Sequence, residues 1–160
     1  MSANCSSIMI AEPRILHPKM TIKEVFPIIR QVGTRFLPVV DDAGDFVGTF
    51  SSMTLIKLLL PSSVSIKEGK NPFDLMFMQT TLDELGERLQ EIGDSLITDH
   101  IFTDDVPTCT PQTSIMEALN LLYHYHYHVV VLAPNSRQFL GVITVKGVLD
   151  FIHATVRDEE

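Results

Sequence analysis

Tryptophan is absent, and only two cysteines, Cys5 and Cys109, occur in the 160 residues. They show no paired or CxxC spacing, so they are expected as free thiols of a reducing, cytoplasmic compartment. Basic residues are also scarce: 12 Lys and Arg face 20 Asp and Glu, a formal charge of −8. A protein that neutralises nucleic-acid phosphates needs the opposite balance, and no polybasic run suits a membrane surface. No apolar run approaches the roughly 18 residues of a spanning helix. The first residues, MSANCSSIMIAEPR, carry no basic segment ahead of a long apolar one, so no secretory leader is expected. No Gly-rich phosphate loop, acid–base pair or Ser/His/Asp set is visible, and no enzyme is expected. What is plentiful is apolar surface, at 45% hydrophobic residues, enough to offset the entropy of ordering one ordinary folded domain.

That apolar surface is arranged as an internal repeat. Gly48 and Gly141 lie 93 residues apart, and the same shift superposes Pro18 on Pro111, Thr21 on Ser114, Ile22 on Ile115 and Glu24 on Glu117. Phe46 then falls on Phe139 and Ser51 on Thr144. Each copy begins with a short extended stretch ending at proline, residues 14–18 and 107–111. Thr21-x-x-Glu24 and Ser114-x-x-Glu117 follow as capping boxes that satisfy the orphan amides of a helix start. Ile22, Val25, Ile28, Ile29 and Val32 recur at helical spacing, as do Ile115, Ala118, Leu119, Leu121 and Leu122. Pro27 removes a backbone bond and is expected to kink the first helix; Gly33 suits a left-handed cap at its end.

Two strands are expected next in each copy, 36–40 with 46–50 and 128–132 with 139–143, followed by closing helices over Leu55–Leu60 and Val148–Ile152. The copies therefore read strand, helix, strand, strand, helix, twice. Between them, Asn71-Pro72 is a helix opening, Thr81-x-x-Glu84 is a further capping box, and Leu82, Leu85, Leu89 and Ile92 predict an amphipathic helix. The cluster Phe73 to Met78 is expected to pack on the repeats or on a second subunit. The boundaries read 1–60 for the first segment and copy, 61–94 for the helical insert and 95–160 for the second copy and tail.

The run His124-Tyr-His126-Tyr-His128 does not make a metal site, because three histidines on one straight strand cannot wrap an ion. The repeat register also places His124 at a helix end and His126 at its cap. Cys109 falls in an extended stretch and reads as a buried small hydrophobe.

The doubled pattern resembles the cystathionine-beta-synthase (CBS) domain pair, or Bateman module. The family frame is a capped helix, a strand h-P-V, a turn with glycine, and G-h-h-[ST]-x-x-D opening the last helix. The first copy reads Phe36-Leu-Pro38-Val-Val, then Phe46-Val-Gly48-Thr-Phe-Ser51; the second reads His128-Val-Val-Val131-Leu, then Phe139-Leu-Gly141-Val-Ile-Thr144. The resemblance implies an α/β (α+β) fold of two pseudo-two-fold-related repeats with a helical insert. It also implies a regulatory module binding an adenosine nucleotide, AMP, ADP or ATP, in the cleft between them.

Carried onto this chain, the basic position falls on Arg35 and His128, beside Pro38 of the h-P-V strand, and the hydroxyl position falls on Ser51 and Thr144. The family's ribose-binding Asp is replaced by Thr54 in the first copy and Gly147 in the second. Thr54 keeps one hydrogen-bonding group; Gly147 keeps none. The alternative reading is a ligand-independent dimerisation or docking module with a degenerate nucleotide site. A homodimer is expected in either case, with an effector protein as the further partner.

Overall fold

The computed structural model describes residues 3–32, 36–60, 82–103, 106–126 and 128–158. The fold is mixed α/β and contains both expected copies. Helix α1 (Ile22–Val32) leads to strands β1 (Phe36–Val40) and β2 (Phe46–Ser51) and helix α2 (Ser52–Leu59). Helix α3 (Leu82–Ile92) follows, then β3 (Thr108–Cys109), α4 (Ile115–Tyr125), β4 (Val129–Leu132), β5 (Phe139–Ile143) and α5 (Val145–Asp158). The expected helix opening at Asn71-Pro72, the cluster Phe73 to Met78, the cap residue Thr81 and the cap Gly33 lie outside the described residues. Both closing helices start earlier than the apolar pattern suggested, and α5 runs well past Ile152. Among the described residues no helix is long and apolar enough to cross a membrane.

The chain divides into two compact units, 1–17 with 38–49 and 102–160, and 18–37 with 50–101. In the second of these, α1, α2 and α3 pack together around Ile22, Val25, Ile29, Phe50, Leu55 and Ile97, all buried. The capping box at Thr21 forms in both directions: the Glu24 N–H donates to Thr21 Oγ1 at 3.2 Å and the Thr21 N–H to Glu24 Oε1 at 3.3 Å. The two remaining orphan amides of α1 find tertiary partners, Ile22 on the Ser95 carbonyl and Lys23 on the Gly93 carbonyl, both at 2.9 Å. Helix α1 continues through Pro27 to Val32. Burial of Ile22 and Val25 before the proline and of Ile29 after it holds both halves to one core. At the far end of α2, the Arg88 Nε of α3 donates to the Leu58 carbonyl at 2.9 Å, supplying a partner to a last-turn carbonyl.

The other unit holds the three-stranded sheet β3-β4-β5, with β3 parallel and β5 antiparallel to β4. Alternate side chains of β4 leave by opposite faces. Val129 and Val131 join Cys5, Ile8, Cys109, Ala118, Leu122, Ile143 and Val148 in one core cluster, while Val130 and Leu132 join Phe46 in another. The Ser114 hydroxyl accepts the Glu117 N–H at 3.2 Å and starts α4. In the same unit the hairpin turn between β1 and β2 is tied by Asp41, whose Oδ1 accepts the Ala43 and Asp45 N–H groups. Gly44 takes the left-handed φ of +84° there.

A feature beyond the repeat frame organises both units: the segment preceding each copy pairs with the other copy. The N-terminal arm forms antiparallel bridges Asn4 to Ser114 and Ile10 to Val142, and the segment before β3 forms Thr21 to Leu96 and Thr49 to Phe102. The arms correspond at a shift of 92 residues and their partners at 93, so the exchange is reciprocal. Each compact unit therefore draws on both copies.

Candidate ligand-binding site

The α5 N-terminus gathers several of the sequence-selected positions. Val129 of β4 pairs with Ile143 of β5; His128 immediately precedes the first of these and Thr144 immediately follows the second. Thr144 is the N-cap of α5: its Oγ1 accepts the Gly147 N–H at 2.9 Å, and its carbonyl accepts the Val148 N–H at 3.1 Å. The hydroxyl keeps its own hydrogen as a donor for a ligand oxygen, and a helix start favours an anion. Half-buried His128 is held below its usual imidazole pKa of 6.5 by desolvation, so the neutral ring prevails at pH 7.

The arm closes over this helix start. The Ile10 N–H donates to the Val142 carbonyl at 2.8 Å, and the Ile10 carbonyl accepts the Val142 N–H at 3.1 Å. A side chain at Gly141 would put its Cβ 2.3 Å from the Ile10 carbonyl oxygen, which only glycine avoids. A Cβ at Gly147 would lie 3.2 Å from Thr144 Oγ1 and 3.4 Å from the Ile8 carbonyl oxygen. The position that carries a ribose carboxylate in the family is thus a bare backbone position here, facing the arm.

Pro38 is buried in β1, and its carbonyl accepts the Leu16 N–H at 2.8 Å, a parallel pairing like that of β3 on β4. Ser51 and Thr54 belong to the other unit. Ser51 caps α2, with Oγ accepting the Met53 N–H at 3.0 Å, and Thr54 is half-buried in the first turn. Arg35 lies outside the described residues. His128, Thr144 and Pro38 thus belong to one unit, and both selected hydroxyls, Ser51 and Thr144, are helix caps. His124 ends in the last turn of α4 and His126 is its left-handed cap, φ 59°, as the repeat register indicated. The three histidines thus sit on a helix, a cap and a strand approach. Ile8 and Ile10 were not selected from sequence; the one-residue slip between the two shifts obscures the correspondence of the arms.

Two copies, the second strand–helix–strand–strand–helix and the first the same with its opening strand reduced to the Leu16–Val39 bridge, define with their exchanged arms and hydroxyl-capped closing helices a tandem α/β module. The CBS domain signature matches residues 5–61 and 97–154, and the chain belongs to the CBS domain family. Among solved structures it is similar to the CBS-pair protein CBSX2 of Arabidopsis thaliana, at TM-score 0.72 and 16% identity, covering 98% of this chain and 99% of that one. CBSX2 in complex with AMP matches at TM-score 0.67 and 15% identity over 99% and 100% of the two chains. CbpB in complex with c-di-AMP matches at 0.68 and 17% over 98% and 88%. The curated proteins gave no sequence match.

Proposed function

We propose that this chain is a non-catalytic regulatory module that binds an adenosine-containing nucleotide and thereby shifts its affinity for an effector protein. The observation that carries this reading is the Thr144 cap at the start of α5, directly after the Val129–Ile143 pair that His128 precedes. His128 and Thr144 are the basic and hydroxyl positions through which the family meets phosphate. The similar folds CBSX2 and CbpB, solved with AMP and c-di-AMP, support it. Pro38, Ser51, Thr54 and Arg35 are the other ligand positions that the family resemblance implies. The family repeats occupy 1–60 and 95–160, with 61–94 as insert, and the compartment is cytoplasmic.

A ligand acts on such a module only through its differential affinity for two states. Thermal melting with AMP, ADP, ATP and c-di-AMP tests the reading. A ligand at 100 times its Kd adds about 2.7 kcal/mol of stability. An unchanged Tm with all four nucleotides overturns it.

The second reading, a ligand-independent dimerisation or docking module, is favoured by Gly147 and Thr54 at the ribose positions. Both readings include a homodimer. Val145, Leu149, Ile152 and Val156 recur along α5, and Met53 and Ile56 on α2, and all are exposed large hydrophobics. Isologous pairing is the commonest way to cover such faces.

A further inference from the structure

Cys5 and Cys109 are far apart in sequence, yet the arm folds both into one core cluster with Ile8, Ala118, Leu122 and Val131. Cys5 opens the short 3-10 turn of the arm and is fully buried; Cys109 ends β3 and is 9% exposed. Each thiol is near enough to influence the ionisation of the other, and the Cys5 thiol donates to the Ser114 carbonyl oxygen at 3.8 Å. The backbone around Cys5 is held in register on the strand-to-helix connection, with the Cys5 N–H on the Thr113 carbonyl at 2.9 Å and the Ser6 N–H on the Pro111 carbonyl at 3.0 Å. No third cysteine exists in the chain to compete for either sulfur.

We propose that Cys5 and Cys109 form a reversible disulfide that latches the N-terminal arm onto β3 when the protein meets a peroxide. In the first step one sulfur, as thiolate, attacks a peroxide oxygen. The O–O bond breaks, a sulfenic acid forms, and the departing oxygen takes a proton to leave as water when the oxidant is hydrogen peroxide. In the second step the other sulfur attacks the sulfenic sulfur, the S–O bond breaks, and the hydroxide leaves as water with that thiol's proton. The sulfurs together lose two electrons, and the peroxide is reduced to two waters.

Reaction goes through lifting of the arm. Burial raises the pKa of both thiols, that of Cys109 to about 12, so the closed pair stays protonated and reacts slowly. Local opening of the arm exposes both sulfurs at once, and the disulfide then abolishes that opening. The latch acts on the segment whose Ile8 carbonyl faces Gly147 at the α5 start. It does not depend on nucleotide binding.

The test uses the full chain, reduced, freed of reductant and exposed to hydrogen peroxide under native conditions. It is then unfolded, alkylated and weighed. The expected product is a mass two hydrogens below the reduced chain, neither thiol alkylated, one peptide pair joining Cys5 to Cys109, and full recovery with dithiothreitol. Amide exchange over Ser6–Ile10 is expected to slow by about tenfold or more. Complete alkylation of both thiols, oxygen addition without a link, or a link between chains overturns the proposal. Cys5→Ser and Cys109→Ser are each expected to lose the intramolecular link. If either variant fails to fold, the peptide map of the wild-type chain decides alone.

Discussion

Phe46 and Phe139 occupy the same place in the two copies and exchange the same bond: the Phe46 N–H donates to the Arg137 carbonyl at 2.8 Å, and the Phe139 N–H to the Gly44 carbonyl at 2.9 Å. Gly44 and Arg137 are themselves 93 residues apart, so the two bonds are related by a local two-fold that passes through the Asp45–Gln138 bridge. The rings stack with centroids 6.4 Å apart, and the Arg137 guanidinium lies 5.2 Å from the Phe46 ring centroid while its Nη2 donates to the Phe46 carbonyl. The repeat seen along the chain is thus realised as symmetry in space at the starts of β2 and β5. This gives its sequence register a direct physical meaning.

Gly141→Ala is expected to detach the arm. Its Cβ would meet the Ile10 backbone at 2.3 Å, and backbone cannot swing aside as a side chain does. A loss of about 1–3 kcal/mol is expected, the usual scale of overpacking, read as a lower urea midpoint with faster amide exchange over residues 5–10. Gly44→Ala has open space around its Cβ but a φ of +84°. It should cost about 1 kcal/mol through backbone strain alone, leaving the arm protected.

His128 sets an acid limit on stability. Burial lowers its folded-state pKa below the 6.5 of an ordinary imidazole, so below that value the unfolded chain binds a proton that the folded chain does not. Stability therefore falls as pH drops through the unfolded value, and levels off only below the folded one. The full stability is present above about pH 6.5–7. Urea titrations between pH 5 and 7.5 should show this slope in the wild type and a shallower one in His128→Asn. Identical slopes would remove His128 as the cause. The same shift means that the ring becomes charged only at lower pH than an unperturbed histidine.

Restoring the ribose carboxylate tests the site in the first copy. Thr54 sits in the first turn of α2, where an added anion is stabilised by about 0.3–1 kcal/mol, so Thr54→Asp should fold. A gain of about 1.5–3 kcal/mol in adenosine-nucleotide affinity is expected from hydrogen bonds to a charged acceptor. The 2′-deoxy analogue should gain less. Calorimetry showing equal gains for both forms would exclude ribose recognition there.

The exposed stripe on α5 should respond to charge. Leu149 is 59% exposed and lies between Val145 and Ile152 on one helical face. Leu149→Lys costs the monomer little, since it removes no core contact, but it places a charge in any dimer centred on this face. Light scattering at tens of micromolar should give a dimer for the wild type and a smaller mass for the variant. A monomeric wild type would dismiss the dimer.

Local chemistry was readable directly. The capping box at Thr21, the Ser114 hydroxyl cap, the turn at Asp41–Asp45 and the helical cap at His126 each depend on residues within a few positions of one another. Periodicity and side-chain hydrogen-bonding capacity therefore determine them. Pro27 does not end the helix: the missing backbone bond is outweighed by burial of Ile22 and Val25 before it and Ile29 after it.

Along the chain, the sequence by itself determined the doubled helix–strand–strand–helix order, the apolar faces of the helices and the hydroxyls that cap α2 and α5; the opening strand expected in both copies forms in the second and is a single Leu16–Val39 bridge in the first. Only the tertiary structure decided which segment lies against which. The exchange of arms, the closeness of Ile10 to Gly141, the gathering of Cys5 and Cys109 in one core and the pairing of Val129 with Ile143 all join separate segments of the chain. The reason is physical. Backbone amides and carbonyls carry no residue-specific signature, and an edge strand accepts any segment of matching register. The partner is chosen by the burial of Cys5 and Ile8 in a core that exists only once the second copy has folded around it.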